Sequence, residues 1–331
     1  MSFQALVTEK SDRGDITSGV QTLDDARLPD GNVTVAVDWS GLNYKDGLCL
    51  TGGGGLVRSY PHVGGIDAAG RVLDSTDPRY VPGDEVILTG WRVGETRWGG
   101  FAQKLRLDAD WLVPLPANFS TRTAMVLGTA GLTAMLAIDR LEANGLVPGQ
   151  GEVLVTGAGG GIGSIAIHLL HRLGYTVVAM SRRPQLADDL RRLGADSIVG
   201  RDELMAAPDK PLESARWAGV VDAVGGAVLG KVLKQVKYGG AVAAIGNAGG
   251  IELAISVLPF ILRGVAVLGI DSVTQPYATR LAAWNRLADL FDATLFEPSV
   301  TEIALSQLPQ AGLDILAGRV RGRTLVNLRK S

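Results

Sequence analysis

The segment from Glu152 to Gly163, with the sequence EVLVTGAGGGIG, constrains the fold more than any other stretch of this chain. Its apolar start, its glycines and the amphipathic residues 164–173 that follow predict a strand, a tight turn and a helix. Three of the glycines stand three residues apart, as in turns that bring a pyrophosphate against the backbone at a helix N-terminus. An ordinary tight turn is the alternative interpretation. The candidate cofactor-binding residues here are Gly157, Gly159, Gly160, Gly161, Ile162 and Gly163.

Charge and cysteine usage narrow the range of partners. A formal net charge of −2 argues against a general nucleic-acid binder, so a small molecule is the expected partner. The single cysteine, Cys49, excludes an internal disulfide and a cysteine-rich zinc site. The N-terminus has no basic start followed by an apolar stretch, and the apolar segment 251–270 contains Glu252 and Arg263. We therefore expect a cytoplasmic protein with no membrane partner.

The chain changes character near residue 120. Before it, short β-prone runs separated by Gly, Pro and Asp predict a small antiparallel barrel. After it, strands and helices alternate, which predicts a doubly wound α/β domain with a parallel sheet. The six predicted strands of that sheet are Val153–Thr156, Thr176–Met180, Ser197–Val199, Gly219–Val224, Ala241–Ile245 and Val265–Ile270.

The end of the chain returns to the barrel pattern. A helix is predicted over about Tyr277–Asp292, followed by β-prone segments at Ser299–Ile303 and Arg323–Leu328. A strand so close to the C-terminus needs a sheet to join, and the barrel is the natural one. The sequence thus predicts a barrel domain of residues 1–120 completed by residues 296–331, with the cofactor domain, residues 121–295, inserted into it.

The end of the second strand of the parallel sheet predicts which dinucleotide is bound. NAD-binding versions of this fold place an acidic residue there to bond the ribose 2′-hydroxyl. This chain has Ser181, Arg182 and Arg183 instead, and a guanidinium group can grip a 2′-phosphate. NADPH is therefore the expected cofactor, with Ser181 and Arg182 as candidate ligands and Arg201 as an additional one. Solvated surface charge is the alternative for Arg182, Arg183 and Arg201.

Several motifs in order resemble one family. The chain is similar over its full length to the medium-chain dehydrogenase/reductases, which implies a GroES-like β-barrel domain and a Rossmann domain. Within that superfamily the closer motifs resemble the AcuI/YhdH branch, the acrylyl-CoA reductases. These motifs are Leu42–Asp46, Gly65–Gly70, Gly90–Glu95, Trp98–Ala102, Leu127–Ala134, Leu262–Gly264 and Gly269–Val273.

Departures from the zinc alcohol dehydrogenases of the same superfamily indicate chemistry without metal. Asn43 stands where those enzymes have a cysteine ligand, and Ile66 where they have a histidine. Neither side chain can replace the ligands that zinc prefers. His168 and His171 are three residues apart on a predicted helix, and we expect them to pack there rather than bind an ion.

Hydride transfer belongs to the nicotinamide, so the protein must stabilise the charge that develops on the acceptor. Asn43, Tyr44 and Lys45 are the candidate catalytic residues, because they place amide, phenol and ammonium donors within one turn of chain. The alternative is that Asn43 and Asp46 hold the local turn while Tyr44 packs, and for Asp46 we favour that interpretation. Proton delivery is open to a side chain or to water.

Further cofactor contacts are expected from other loops. The resemblance implies that Thr129 and Thr133 face the cofactor, with helix capping as the alternative. Gly246 and Asn247 follow the fifth strand of the parallel sheet at the edge that binds ligands, whereas Asp222 is expected to fix its loop. A CoA substrate also carries phosphates. Among the arginines in or near the loops expected around the cleft, we select only Arg323 as the candidate for a phosphate contact, and solvated surface charge is the alternative for the whole set, Arg58, Arg92, Arg263 and Arg323.

The sequence leaves three functions open. The first is NADPH-dependent, zinc-independent reduction of an α,β-unsaturated acyl-CoA, with acryloyl-CoA to propanoyl-CoA as the expected reaction. The others are a quinone or enone reductase on the same fold and a non-catalytic NADPH-binding protein. The resemblance and the apolar strand Val265–Ile270 predict a homodimer.

Overall fold

The computed structural model describes residues 1–206 and 210–329. The chain divides into two compact units. The first consists of Met1–Thr129, Val273–Ala288 and the residues from Phe296 onward, and the second of Ala130–Ser272 and Asp289–Leu295. The first unit thus extends beyond the predicted boundary at residue 120 as far as Thr129, and it includes most of the predicted helix near residue 280.

Hydrogen bonds explain why the first unit is larger than predicted. The Arg323 guanidinium donates to the carbonyl oxygen of Val126, and the Thr129 amide donates to Asp67. These contacts hold the segment 121–129 to the first unit. Further along the chain, the buried Arg280 donates to the carbonyl oxygen of Thr89.

The first unit contains a three-stranded and a seven-stranded sheet. Its strands are β1 (Ser2–Lys10), β2 (Ile16–Asp24), β3 (Val33–Leu42), β4 (His62–Val63), β5 (Asp67–Ser75), β6 (Glu85–Thr89), β7 (Lys104–Leu107), β8 (Leu112–Pro114), β15 (Val300–Ile303) and β16 (Arg323–Asn327). The orders are β2-β1-β4 and β15-β16-β3-β5-β6-β8, with β7 also paired to β3. Apart from the parallel pair β15–β16, neighbouring strands run antiparallel.

The C-terminal strand joins the N-terminal sheet as predicted, because β16 pairs with β3. Alternating apolar residues of β1, β3 and β5 to β7 fill the core between these strands, including Leu6, Val35, Val72 and Leu105. The structure adds β2, an outer strand with mostly exposed polar side chains, which lacks the apolar alternation that would predict it.

The second unit is a six-stranded parallel sheet with strand order β11-β10-β9-β12-β13-β14. The strands are β9 (Glu152–Val155), β10 (Thr176–Ser181), β11 (Ser197–Gly200), β12 (Trp217–Asp222), β13 (Val236–Ala244) and β14 (Ala266–Gly269). Buried aliphatic residues such as Leu154, Val178 and Val220 make the strands almost continuously apolar, as expected for a sheet covered on both faces. The order confirms the predicted doubly wound fold.

The described residues contain nine α-helices. They are α1 (Tyr44–Thr51), α2 (Thr121–Ala143), α3 (Gly161–Arg172), α4 (Ala187–Arg192), α5 (Arg201–Ala206), α6 (Gly226–Leu233), α7 (Leu258–Arg263), α8 (Tyr277–Leu290) and α9 (Leu308–Leu316). Helices α5 and α9 are not predicted from the sequence, because α5 has only six residues and Pro309 and Gly312 interrupt the helical pattern of α9. Within the described ranges, α2 alone is long and apolar enough to cross a membrane, and 83% of its apolar window is buried in the fold.

Candidate active site

The turn between β9 and α3 has the geometry that its glycines predict. Gly157 has a φ of +62°, a conformation that side chains disfavour, and its carbonyl oxygen accepts the Gly160 amide. A Cβ on Gly163 would lie 2.5 Å from the Gly157 carbonyl oxygen, so the helix packs against the turn only because residue 163 is glycine. Gly160 is the N-cap residue of helix α3, and no side chain caps this end of the helix. The first backbone N–H groups of α3 are therefore available to bind an anion.

The end of β10 carries the predicted phosphate-selecting residues. Arg182 is exposed, and the Ser181 hydroxyl accepts the Arg183 amide at 3.1 Å. This hydrogen bond holds the backbone of residues 181–183 directly after β10, so the backbone of Arg182 is held in place. Arg201 is the first residue of α5 and is partly exposed.

The loops after β12 and β13 meet at the same edge of the sheet. The Asp222 carboxylate accepts the Thr156 hydroxyl at 2.5 Å and the Gly225 amide at 2.8 Å, and burial raises the pKa of Asp222. Asp222 thus fixes its loop, as expected. Gly246 and Asn247 are exposed at this edge, where open α/β sheets bind ligands.

The start of α1 is organised around Asn43. Its Nδ2 donates to Oδ2 of Asp67 at 2.8 Å and, through a long contact of 3.4 Å, to the Gly41 carbonyl oxygen. Its Oδ1 accepts from the Arg323 guanidinium at 3.1 Å. The amide is therefore held in one orientation, and the Nδ2 hydrogen that points toward Gly41 is the less firmly held of the two.

Asp67 is the centre of this network and is fully buried. Besides Asn43 it accepts the Thr129 hydroxyl at 2.5 Å and the Thr129 amide at 2.9 Å. The amide can approach because α2 is kinked at Gly128, where a Cβ would lie 2.3 Å from Asp67 Oδ2. Burial raises the pKa of Asp67, and the nearby Arg323 and the hydrogen bonds oppose that rise.

Arg323 is the second charged group in this interior. Its side chain is 4% exposed, its Nε donates to the Val126 carbonyl oxygen at 2.8 Å, and a terminal nitrogen lies 3.9 Å from Asp67. A guanidinium bonded in this way is a structural partner of Asp67 and Asn43. We therefore correct the prediction that Arg323 contacts a phosphate.

Asp46 has the structural role that the sequence favoured. Its two carboxylate oxygens accept hydrogen bonds from the Asn43 amide at 2.8 Å and the Ile66 amide at 2.9 Å, which ties the start of α1 to the residue that precedes β5. The side chain is completely buried. Burial, with a further contribution from the charge of Asp67, raises its pKa to about 7.

The other two candidate catalytic residues have different environments. Tyr44, the first residue of α1, is 49% exposed. Lys45 forms a 2.9 Å ion pair with Glu95, whose side chain is 9% exposed. The Lys45 ammonium is therefore engaged in tying α1 to the loop that contains Glu95.

Thr129, Thr133 and His168 differ in burial, and Thr129 is only partly buried. The Thr129 hydroxyl is bonded to Asp67, and Thr133 is buried within α2. His168 is buried, and its Nε2 accepts the Asp292 amide. The described part of the chain has no group of three His, Cys, Asp or Glu side chains placed to hold a metal ion.

Sequence reasoning missed Asp67 as a site residue. The signal that could have found it is a carboxylate directly after Ile66 at the start of a buried strand, where an unpaired charge is costly. Glu95 was missed for a different reason, because its partner Lys45 is 50 residues away in the sequence.

Comparison with known proteins assigns the family. Residues 29–117 match the alcohol dehydrogenase GroES-like domain, and residues 161–290 match the zinc-binding dehydrogenase family. A Ruegeria pomeroyi protein named acrylyl-CoA reductase AcuI is 57% identical over 327 residues, covering 98% of this chain and 99% of that protein. The chain belongs to the AcuI/YhdH family of medium-chain dehydrogenase/reductases.

Two solved structures of related proteins have the same fold as this chain. E. coli K-12 YhdH, solved with bound NADPH, has a TM-score of 0.94 at 49% identity and covers 98% of this chain and 99% of its own. Bacillus subtilis yhfP, solved with bound NAD, has a TM-score of 0.95 at 46% identity, with 99% of both chains covered. These likenesses confirm the predicted GroES-like and Rossmann architecture.

Proposed function

We propose that this protein reduces the carbon–carbon double bond of an α,β-unsaturated acyl-CoA with NADPH, converting acryloyl-CoA to propanoyl-CoA without zinc. The observation that carries the proposal is the 57% identity, over almost the whole chain, to an acrylyl-CoA reductase. An identity this high along both proteins favours a shared reaction over quinone reduction or a purely binding role.

The second unit provides a site that fits NADPH. The glycines of the β9–α3 turn leave room for a pyrophosphate, and the open amides of α3 favour its charge. Arg182 and Ser181 stand at the strand end where a ribose 2′-phosphate is recognised, with no carboxylate among residues 181–183 to repel it. Arg201 and Asn247 are further candidate contacts, the latter for the nicotinamide half.

The reaction adds a hydride and a proton across the double bond. When bound, NADPH supplies the hydride, which goes to the β-carbon of the thioester. The electron pair of the double bond then moves toward the thioester oxygen, which needs a hydrogen-bond donor. Asn43 is suited to this role, because Asp67 and Arg323 fix its amide while one Nδ2 hydrogen makes only the long contact to Gly41. The exposed Tyr44 hydroxyl or water then protonates the α-carbon.

The role of Asn43 predicts a kinetic signature. Asn43→Ala is expected to lower kcat for acryloyl-CoA by about 10²–10³, the typical effect of losing one donor to a developing oxyanion. The Kd for NADPH should stay unchanged, because the residues proposed to hold NADPH lie in the second unit. An unchanged kcat in a variant that melts at the wild-type temperature would remove Asn43 from the mechanism.

The acceptor is tested by a comparison of substrates. We expect rapid NADPH oxidation with acryloyl-CoA, slower oxidation with crotonyl-CoA and little with a quinone. Turnover of the quinone alone would instead identify a quinone reductase. Binding of NADPH without turnover of any acceptor would support the non-catalytic alternative.

We further propose that the protein works in the cytoplasm as a homodimer. β14 is an edge strand of the parallel sheet, and on it Val267 is 39% exposed. On the preceding helix, α7, Ile261 and Leu262 are 68% and 57% exposed. An edge strand beside exposed apolar side chains favours pairing with a second copy. Light scattering is expected to give twice the chain mass, and Val267→Lys should shift the protein toward the monomer.

A further inference from the structure

The segment Gly90–Gly94 has an unusual backbone. Trp91 and Arg92 have φ values of +57° and +58°, and within residues 1–206 and 210–329 they are the non-glycine residues with positive φ. Large side chains rarely adopt this conformation, which glycine adopts freely. Strain of this kind persists at functional sites when the surroundings impose it.

Contacts on both sides of the turn impose this conformation. The Trp91 amide donates to the Val273 carbonyl oxygen at 2.9 Å. Arg280, which is 1% exposed, donates to the carbonyl oxygen and the hydroxyl of Thr89, both at 2.8 Å, and its guanidinium lies 5.2 Å from the centre of the Trp91 ring. The turn is therefore rigid at Trp91.

The far side of the turn is connected to the start of α1. The amides of Glu95 and Thr96 donate to the Arg92 carbonyl oxygen, and Glu95 pairs with Lys45, two residues after Asn43. Val93 is buried in the core of the first unit. The backbone of Arg92 is thus held from both directions, in the same part of the first unit as the candidate catalytic residues.

No contact within the described residues explains why the side chain at position 92 is an arginine. It is exposed, and within the described parts of the chain it makes no hydrogen bond or ion pair. Arg323 and Arg263, in contrast, donate to backbone carbonyl oxygens and hold the fold together. A free guanidinium on a rigid, strained turn is suited to binding an anion, and phosphate is one of the anions whose geometry the guanidinium group matches.

We propose that Arg92 binds a phosphate of the CoA portion of the substrate and that the Gly90–Gly94 turn is the element that presents it. This assignment rests on the proposed function, because it takes the acceptor to be an acyl-CoA. It goes further by separating recognition of the CoA phosphates from recognition of the acyl group.

The test compares Arg92→Gly, Arg92→Lys and the wild type on two thioesters. Acryloyl-CoA and acryloyl-pantetheine carry the same acyl group, but acryloyl-pantetheine lacks the phosphates and the adenosine of CoA. Glycine fits a φ of +58°, so Arg92→Gly should fold and melt like the wild type. We expect its KM for acryloyl-CoA to rise about tenfold, as for the loss of one charge-assisted hydrogen bond, with kcat and the KM for acryloyl-pantetheine unchanged. Arg92→Lys should recover part of the loss.

Arg13→Gln is the matched control, because Arg13 is an exposed arginine of the same unit in the turn between β1 and β2. It should leave all Michaelis constants unchanged. An unchanged KM for acryloyl-CoA in Arg92→Gly would overturn the proposal. A rise in the KM for NADPH alone, or an equal rise in the KM for acryloyl-CoA and for acryloyl-pantetheine, would overturn it as well. If the wild type reduces neither thioester, the proposed function fails, and that outcome is distinct from a failure at Arg92.

Discussion

Asn43 is oriented by residues that are distant from it in the sequence. The side-chain amide of Asn43 donates a hydrogen bond to Asp67 and accepts one from Arg323. The backbone amide of Asn43 donates to the Asp46 carboxylate. Two carboxylates and a guanidinium are therefore buried together in the first unit. Such groups are stable inside a protein only when each has partners, so a change to one alters the others.

The raised pKa of Asp46 predicts that the stability of the folded protein depends on pH. Its pKa is about 7 in the folded protein, whereas the ordinary value is 3.8. Between these values the folded state binds a proton that the unfolded state has lost, so this group makes the free energy of unfolding fall as pH rises from about 4 to about 7 and leaves it level above that.

Chemical denaturation of the wild type and Asp46→Asn across that pH range isolates the effect. The difference in unfolding free energy between the two proteins should shrink as the pH rises toward 7, because asparagine does not titrate. A difference that is constant with pH would show that Asp46 is already ionised in the acidic part of the range.

Arg182 predicts cofactor selectivity. Arg182→Ala should raise the KM for NADPH about tenfold or more and leave the KM for NADH almost unchanged, because only NADPH carries the 2′-phosphate. Arg191→Ala, which removes an exposed arginine of the neighbouring helix α4, is the control and should affect neither cofactor. Equal changes for NADPH and NADH in Arg182→Ala would refute the assignment.

At the scale of elements, the β9–α3 unit depends on close backbone packing. A methyl group on Gly163 would lie 2.5 Å from the Gly157 carbonyl oxygen and 2.8 Å from the Ala158 Cα, and backbone atoms cannot move aside easily. Gly200 at the end of β11 is different, because a methyl group there would meet its nearest neighbour, Glu203, at 3.9 Å.

These two glycines give a matched pair of variants. Gly163→Ala should lower the free energy of unfolding by about 1–3 kcal/mol and weaken NADPH binding, because the helix must shift away from the turn. Gly200→Ala should change stability by no more than about 0.5 kcal/mol. Calorimetry and NADPH titration measure both effects, and a wild-type affinity in Gly163→Ala would argue against the packing role.

The elements near the cofactor turn could be predicted from sequence because their signals are local. The glycine spacing, the apolar strands and the arginines after β10 lie within a few dozen residues of one another. The network around Asn43 could not be predicted in this way. Its members lie on β5, α1, α2 and β16, and only the fold shows that Arg323, nearly 300 residues after Asn43, is bonded to it.

At the scale of the whole molecule, the chain returns to its first unit twice, at Val273 and at Phe296. The sequence predicted the second return from the β-prone C-terminus. It did not predict the first, because α8 has the pattern of an ordinary amphipathic helix and the bonds of Arg280 to Thr89 cross 191 positions. That helix also fixes the turn that carries Arg92.

The central claim is reduction of acryloyl-CoA by NADPH without a metal ion. The most direct measurement is the yield of propanoyl-CoA per NADPH oxidised, made on protein dialysed against a strong chelator. We predict equimolar product and an undiminished rate, because the proposed donors are side chains such as Asn43 rather than an ion. A rate that falls on chelation and returns with zinc, or NADPH oxidation without propanoyl-CoA, would contradict the account.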